Sequence, residues 1–403
     1  MIWLNGPQLP GPGRISGRGA ISASSMGLTM GQTAAVTKSP SCHFFGYYGI
    51  NPWNLSETRL VGLEVDIQYR PPGPADRAKI GEIEAESRGF ARIAETGAWN
   101  FQQGCMLHWL NDDEMIYNDR EGDRFISRIL DIESGDSRQM HLPVSAVSSD
   151  GRSALSLNFS RIHSTRPGYG YPGGSGANLG GAHPGDDGVF FMDLETGESH
   201  LAVSMDRVFG FDEHGQQIGD AVMWFNHTLF NPSGKRFIFL SRYPPGSSRN
   251  SALFTSDPDG SDLRCLIDYG LVSHFDWMDD RRLLVWADIQ DEGPAFYLVE
   301  DDTGDYRKIG EGILTRDGHC SFSPDREWVL TDTYPNDKGF RKLMAFHLNS
   351  GNVVPLGNFY SDPELTGEIR CDLHPRWSRD GSRICFDSTH EKNRQIYVLD
   401  FDY

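Results

Sequence analysis

One feature limits the fold of this chain more than any other: a histidine recurs at the same place in four similar segments. In each segment the imidazole lies four residues before a Ser, Asn or Met, and an aromatic residue comes directly before that position. A polar turn and a run of strand-forming residues follow. The four histidines are His227, His274, His319 and His374. Such a pattern predicts an array of repeats in which each unit is one small antiparallel sheet.

Three further copies of the pattern lack the histidine and begin near Ile50, Met106 and Val144. Each of the seven copies is followed by a second strand signal that ends in an acidic or glycine turn. Seven units of two hairpin halves predict an all-β, seven-bladed β-propeller in a single domain. The recurrent histidines would then occupy one position on the innermost strands of four consecutive blades and converge on one side of the axis.

The two ends of the chain are expected to close the ring. We predict a flexible N-terminal arm over residues 1–20 and the propeller over residues 21–403. The last repeat, from His374 to Tyr403, has room for only three strands, so residues 20–37 are candidates for its outer strand. Pairing the two ends would remove exposed sheet edges. The alternative for these residues is a disordered tail.

Composition agrees with a turn-rich β protein and argues against some partners. The 403 residues include 45 glycines and 22 prolines. The net charge of −19 argues against a nucleic-acid surface, and an acidic ligand would need a local cationic pocket. No stretch approaches the roughly 20 apolar residues that cross a bilayer. The N-terminus has Pro and Gly in place of the apolar core of a signal peptide, so we expect a cytoplasmic protein with reduced thiols.

Two other segments carry candidate contacts to a substrate. Residues 161–188 form a Gly-rich insertion, which is typical of a loop over one mouth of a propeller channel. Its candidates are His163, Arg166, Tyr169 and Tyr171. The alternative is a solvated surface loop. Residues 98–109 combine two Trp, two Gln and His108, which suits a polar, aromatic rim for a carbohydrate, although packing between blades would explain the Trp residues equally well.

The centre of the pattern offers metal ligands. Cys371 lies three residues before His374, and His319 is the equivalent imidazole of the preceding repeat. One soft and two borderline ligands suit Zn²⁺ or another late transition metal, with a fourth position left open or filled by His274. The alternative is a purely structural histidine cluster that hydrogen bonds through channel water.

Several longer phrases resemble one known group of propeller enzymes. They are HFFGYYGINPW, WFNHTLFNPSG, SHFDW, DGHCSFSPD and CDLHPRWSRDG. Together they look like the oligogalacturonate lyase family and its propeller relatives, which include ulvan lyases. The resemblance covers the chain from about residue 43 onward. Its specific part is the set of axial histidines with their spacing.

The resemblance implies a metal site. In that family, histidines of the inner strands and a residue three before the HP dipeptide hold a divalent metal, which points to His319, His374 and Cys371. The family has Gln where this chain has Cys371, and a second histidine where it has Arg376. These departures favour Zn²⁺ over Mn²⁺ as the cofactor.

The resemblance also implies β-elimination of a uronic acid, in which the C5 proton is removed and the 4-oxygen is expelled. A metal or cationic side chain on the carboxylate lowers the barrier, and a base must lie close to C5. Family site residues match His274 and, within one residue, Arg249. We expect His274 to help the metal hold the carboxylate, Arg249 or His227 to take the proton, and Tyr243 to protonate the leaving oxygen. The expected substrate contacts are His108, Tyr169, Tyr171 and Arg376.

Two other classes of function stay open. A propeller that binds a glycan or protein partner at one mouth without catalysis is compatible with the same fold. A glycoside hydrolase would need two carboxylic acids roughly 5 to 10 Å apart. Acidic residues near the inner strands are Asp276, Asp317, Asp332 and Asp372. The expected partner is an acidic carbohydrate, and neither nucleic acid nor a membrane is expected.

Overall fold

The strands form seven antiparallel sheets of four, and their succession follows the repeats of the sequence. The computed structural model describes residues 33–175, 179–211, 214–244 and 250–402. In the first six sheets the strands follow one another in chain order. The predicted all-β, seven-bladed propeller in a single domain is therefore confirmed.

Blades 1 to 3 take up the first half of the chain. Blade 1 contains β2 (Cys42–Phe44), β3 (Leu60–Val65), β4 (Ala78–Glu84) and β5 (Gly89–Thr96). Blade 2 contains β6 (His108–Trp109), β7 (Glu114–Glu121), β8 (Arg124–Asp131) and β9 (Ser137–Met140). Blade 3 contains β10 (Ala146–Val147), β11 (Ser153–Ser156), β12 (Gly188–Asp193) and β13 (Ser199–Ser204). The Gly-rich insertion lies between β11 and β12, where the helix α1 (Phe159–Thr165) leads into it.

Blades 4 to 6 carry three of the four recurrent histidines. Blade 4 contains β14 (Trp224–Phe230), β15 (Phe237–Arg242), β16 (Ser251–Ser256) and β17 (Arg264–Gly270). Blade 5 contains β18 (Val272–Trp277), β19 (Arg282–Ala287), β20 (Ala295–Glu300) and β21 (Tyr306–Ile309). Blade 6 contains β22 (Cys320–Phe322), β23 (Trp328–Asp332), β24 (Phe340–His347) and β25 (Val353–Tyr360).

Short helices lie in the connections between blades. The helices α2 (Met205–Phe209) and α3 (His214–Ile218) join blade 3 to blade 4, and a 3₁₀ helix (Gly367–Ile369) precedes the last blade. Within the described ranges, no helix has the length and apolar character required to cross a lipid bilayer.

The last blade combines both ends of the described chain. It contains β26 (Arg376–Trp377), β27 (Arg383–Ser388), β28 (Gln395–Asp400) and, as its outer strand, β1 (Ala34–Ala35). Ala34 pairs with Val398 and Ala35 pairs with Tyr397. The N-terminal segment thus supplies the missing strand that the sequence predicted. The arm predicted for residues 1–20 lies outside the described residues.

The tryptophans of residues 98–109 belong to the packing between blades. Trp99 is fully buried and its indole N–H donates to the carbonyl oxygen of Asp76 at 3.1 Å. Trp109 is also buried, and its indole N–H donates to the carbonyl oxygen of Pro52 at 3.1 Å. Large aromatic side chains stabilise a core most when their polar group finds a partner, as both do here. Packing, rather than a carbohydrate rim, accounts for these two residues.

Candidate functional site

The four recurrent histidines meet around the ring of Tyr48. The centroid of that ring lies between 5.2 and 6.3 Å from those of all four imidazoles. The rings of His274 and His319 are 4.2 Å apart, and those of His319 and His374 are 4.3 Å apart. The prediction that neighbouring blades direct equivalent imidazoles into one space is confirmed.

Irregular backbone turns these side chains toward the axis. His227 lies where the pairing of β14 with β15 shifts register, and its φ is 54°. His374 lies just before β26 with a φ of 42°. The left-handed region is uncommon for residues with a side chain, and such outliers concentrate at functional sites. His274 also lies at a register shift, between β18 and β19.

Two of the imidazoles are oriented by carboxylates. The Nδ1 atom of His319 lies 2.9 and 3.0 Å from the two carboxylate oxygens of Asp332, and Nδ1 of His274 lies 2.8 Å from Oδ1 of Asp317. In both rings Nδ1–H therefore donates, and in the neutral form of each ring Nε2 keeps its lone pair. The Nε2 atom of His319 is buried without a hydrogen-bond partner among the described residues. Metal-binding histidines show this arrangement almost always.

The pKa shifts favour the neutral imidazole at most of these positions. Burial lowers the pKa of His227 and of His374 well below the usual value, and the charges of neighbouring imidazoles act in the same direction. Burial also lowers the pKa of His274. Burial also acts to lower the pKa of His319. The charge and hydrogen bond of Asp332 outweigh burial, so the pKa of His319 is raised. The neutral form is the one that binds a metal ion.

Two of the histidines converge with a carboxylate. One ligand atom from each of His319, Asp372 and His374 lies within 4.8 Å of the others, and all three residues are buried. Asp372 accepts from Arg370 at 2.6 Å and forms an ion pair with Arg341 at 2.8 Å. Burial opposes its ionisation, but the two guanidinium groups hold its pKa well below the usual range. Two imidazoles and a carboxylate, with the Nε2 lone pair of His319 free of any hydrogen bond among the described residues, form a ligand set that fits a divalent cation.

Cys371 does not join this cluster, contrary to the sequence prediction. Its thiol is buried, and burial raises its pKa to about 11. Successive side chains of an extended segment point to opposite sides, so Asp372 takes the position that the sequence assigned to its neighbour. The preference for zinc rested on a thiolate ligand, and it loses that support.

Tyr169 lies between two arginines. Its hydroxyl accepts from Nη2 of Arg370 at 2.5 Å, and the guanidinium carbon of Arg166 lies 4.3 Å from its ring centroid. The tyrosine is only 6% exposed. Burial alone would raise its pKa, but Arg370 and Arg166 outweigh burial and lower the pKa to about 8. A tyrosine of this kind is partly ionised near neutral pH.

Two residues complete what we call the Arg–Tyr group, and the sequence had identified neither. Arg242 ends β15 and is 5% exposed; burial and the charge of Arg166 lower its pKa to about 9. Tyr334 is 36% exposed, and its ring centroid lies 6.3 Å from that of His274 and 6.0 Å from that of His319. Partial burial raises its pKa well above the usual value. The members of the group are Arg166, Tyr169, Arg242, Tyr334 and Arg370.

Two predicted substrate contacts are parts of the core instead. Tyr171 is fully buried, its ring stacks on Phe159 with centroids 4.5 Å apart, and its hydroxyl accepts from Asn118 at 3.0 Å. Arg376 is 2% exposed and forms an ion pair with Asp387 at 3.0 Å. It also donates to the carbonyl oxygens of Tyr47 and Gly46. Because these groups already have their partners inside the protein, neither side chain is available to a substrate.

Three predicted site residues remain to be placed: Tyr243, His108 and Arg249. The ring of Tyr243 packs against Tyr269 of the outermost strand of blade 4, so it faces away from the histidines. His108 lines a cavity together with His227, and burial lowers its pKa to about 3. Arg249 lies outside the described residues.

Comparison with known proteins identifies the fold of this chain but does not assign it to a family. No protein-family model matches the chain. The solved structure of an oligogalacturonate lyase from Vibrio parahaemolyticus is similar, with a TM-score of 0.66 and 12% identity over 93% of this chain and 95% of that one. An oligogalacturonate lyase in complex with manganese has a TM-score of 0.66 and 13% identity over 92% of this chain and 93% of that one. These likenesses establish the propeller fold.

The same fold is shared with proteins of other chemistry. A prolyl endopeptidase has a TM-score of 0.53 and 11% identity, and the match covers 89% of this chain but 48% of that one. Function therefore has to be argued from the site.

Proposed function

We propose that this protein is a polysaccharide lyase that cleaves a uronic-acid-containing oligosaccharide by metal-assisted β-elimination at one mouth of the propeller channel. The observation that carries the proposal is the position of Tyr169, which lies between Arg166 and Arg370 beside the axial imidazoles. The similarity of the fold to oligogalacturonate lyases supports it. The resemblance to ulvan lyases remains a prediction from the sequence.

The axial cluster is our candidate for the metal site. His319, His374 and Asp372 would hold the ion, since their ligand atoms converge. Imidazole with carboxylate suits several divalent ions, and we favour Mn²⁺ because one of the similar lyases is in complex with manganese. When bound, the ion would supply Lewis acidity toward the carboxylate of the uronate.

The Arg–Tyr group supplies the charge that the substrate requires. The Nη1 atom of Arg166 and the Nε atom of Arg242 are buried without hydrogen-bond partners among the described residues. Both donors are thus available to the uronate carboxylate, and they stabilise the negative charge that develops on it when C5 loses its proton. Fixed donors in a site of low dielectric are effective because they need no reorganisation during the reaction. In a chain with a net charge of −19, they also provide the local cationic pocket that an acidic substrate needs.

Proton transfer is assigned to two tyrosines whose pKa values are shifted apart. Tyr169, with its pKa lowered to about 8, takes the C5 proton as the phenolate. The electron pair of that C–H bond forms the C4–C5 double bond, and the bond from C4 to the leaving oxygen breaks. Tyr334 stays protonated because its pKa is raised, and it donates to the departing oxygen. Opposite shifts of this kind are how a site separates a base from an acid.

The histidines outside the metal cluster position other groups. His227 is a poor base because burial lowers its pKa, and its Nε2 lies 3.2 Å from the hydroxyl of Tyr48. His274 is held by Asp317 beside Tyr334, where its ring can contact the substrate carboxylate. A catalytic role for Arg249 stays a prediction from the resemblance.

The protonation states and partners of the carboxylates near the inner strands argue against a glycoside hydrolase. Asp332 is bound to His319, and Asp372 is bound to two arginines; the pKa of each is lowered despite burial. Neither can serve as the protonated acid that glycoside hydrolysis needs. Asp276 has a raised pKa, but its carboxyl group accepts a hydrogen bond from the backbone N–H of Phe322 at 2.7 Å.

The test is an assay for unsaturated products. The protein is incubated with Mn²⁺ and with oligomers of several uronic acids, and ultraviolet absorbance of the unsaturated sugar is followed. We expect absorbance to rise with at least one uronate oligomer and not with a neutral xylo-oligosaccharide. Binding of a uronate oligomer without any absorbance change would favour a non-catalytic glycan-binding propeller.

A further inference from the structure

A second group of side chains that could bind a metal ion lies where α3 meets the outermost strand of blade 4. His214 begins α3, and Cys265 and Asp268 belong to β17. One ligand atom from each of the three residues lies within 4.8 Å of the others. One zinc ion with bonds of about 2.0 to 2.3 Å connects ligand atoms at separations of this order.

An irregular strand brings the cysteine and the aspartate to the same side. They are three positions apart, so in a regular strand their side chains would point to opposite faces. In β17, however, Cys265 pairs with Phe254 and Ile267 pairs with the adjacent Leu253, so one extra residue is inserted between them. The bulge returns Asp268 to the face of Cys265. Bulges re-aim side chains in this manner and are common beside functional sites.

Among the described residues, the imidazole of His214 is short of hydrogen-bond partners. It is 4% exposed, and its ring packs against the rings of Phe211, Phe254 and Tyr269. Oδ1 of Asp268 lies 3.0 Å from Nδ1, yet neither ring nitrogen forms a well-aligned hydrogen bond within the described chain. Leaving a buried polar group without a hydrogen bond is unfavourable, and an ion at that place is one of the usual reasons for it.

We propose that His214, Cys265 and Asp268 bind a zinc ion. Thiolate with imidazole and carboxylate is a donor set that selects zinc over harder ions such as Mg²⁺ or Mn²⁺. The three residues line a cleft that Asp288 and Asp291 also line, so the local field attracts a cation. The side of the ion that faces this cleft takes a water molecule as the fourth ligand.

The ion joins two parts of the chain that are distant in sequence. His214 lies in the connection between blades 3 and 4, and the other two ligands lie on the outermost strand of blade 4. Gln217 of α3 also contacts this strand, since its side-chain amide donates to Oδ2 of Asp268 at 3.3 Å. The zinc therefore fastens this helical connection to the blade, and it acts independently of the axial site.

Cobalt substitution tests the site, because a sulfur ligand to Co²⁺ produces a charge-transfer band that nitrogen and oxygen ligands do not. The full-length protein is stripped of metal and titrated with Co²⁺. We expect the band in the wild type and in His319→Ala, and its loss in Cys265→Ser. Cys42→Ser is the matched control, since that buried thiol donates to Gln68 and is expected to leave the band unchanged.

A second variant addresses folding. The side chain of Asp268 is 58% exposed, so Asp268→Asn is expected to fold normally. We expect it to weaken zinc binding by about 10- to 100-fold, a loss seen even when outer partners of a metal site are removed. Absence of the band from the wild type, or its survival in Cys265→Ser, would overturn the proposal. Unchanged zinc affinity in Asp268→Asn would overturn it as well.

Discussion

His319 donates from Nδ1 to Asp332, with 2.9 Å between Nδ1 and Oδ1, while its Nε2 is buried and has no hydrogen-bond partner in the described chain. The backbone N–H of His319 donates to the same oxygen at 2.8 Å. The carboxylate thus fixes both the tautomer and the orientation of the ring. A nitrogen lone pair is directed toward His374 and Asp372, where we place the metal.

The first prediction concerns the carboxylate behind this ligand. Asp332→Asn is expected to weaken Mn²⁺ binding by about 10- to 100-fold, because outer partners of metal-binding histidines orient them and raise their basicity. Isothermal titration calorimetry at neutral pH measures the effect. Asp317→Asn, which alters the partner of His274 instead, is the control and is expected to change Mn²⁺ affinity less. Equal affinity of Asp332→Asn and wild type would contradict the assignment of His319 as a ligand.

The second prediction concerns the proposed base. Tyr169→Phe is expected to lower kcat by about 10²- to 10⁴-fold, the usual contribution of general base catalysis, with little change in KM. The groups facing this tyrosine are Arg166, Arg370, Arg242 and Asp372, together with the hydroxyl of Tyr47. Their combined effect places its pKa at about 8, so the wild-type rate should rise with pH and level off above about 8.

The control for that experiment is Tyr171→Phe, because Tyr171 is a core residue two positions away whose hydroxyl accepts from Asn118. It is expected to retain the kcat and the pH profile of the wild type. A rising pH profile that persists in Tyr169→Phe would assign the proton transfer to another group.

The third prediction separates packing from binding at Arg376. Arg376→Met is expected to lower the free energy of unfolding by about 3 to 5 kcal/mol, since it leaves Asp387 as an unpaired buried charge. The matched control is Arg383→Met, whose side chain is 34% exposed and pairs with Glu57 at 3.6 Å; it is expected to cost about 0 to 1 kcal/mol. Urea denaturation measures both. If Arg376 bound the substrate instead, Arg376→Met would raise KM without lowering the free energy of unfolding.

The repeat pattern was sufficient to locate the axial histidines. A sequence repeat reports the same position in successive blades, and the imidazoles of His274, His319 and His374 lie together for that reason. The outer strand of blade 7 was predicted by the same reasoning, because the last repeat was one strand short.

Residues outside the repeat were harder to assign. Spacing alone did not determine which of two adjacent residues, Cys371 or Asp372, faces the metal cluster. Arg242 was missed in favour of Tyr243 for a similar reason, because successive side chains on a strand alternate in direction. Tyr334 lies in a loop after β23, and the pairing of β22 with β23 brings it close to His319. No pattern in the sequence marks this tyrosine.

The fourth prediction concerns pH and stability. Burial raises the pKa of Asp276 to about 6, above the value of about 3.9 for an unfolded chain. The folded state thus binds this proton more tightly, and the stability it provides is present below about pH 4 and lost as the pH rises through about 6. Asp276→Asn keeps an acceptor for the N–H of Phe322 and removes the buried charge.

We therefore expect the stability of Asp276→Asn relative to wild type to increase by up to roughly 3 kcal/mol between about pH 4 and about pH 7, since each tenfold change in proton affinity is worth about 1.4 kcal/mol. Urea denaturation of both proteins across this range measures the difference. A difference that does not depend on pH would show that folding does not raise the pKa of Asp276.

The central claim is that the site composed of the axial histidines and the Arg–Tyr group catalyses elimination rather than hydrolysis of a uronate linkage. Mass spectrometry of the products from a defined uronate oligomer tests it most directly. We predict two fragments whose masses sum to that of the substrate, one of them unsaturated, and no such fragments with Tyr169→Phe. Fragments that together carry one additional water, or an intact substrate after binding, would contradict the account.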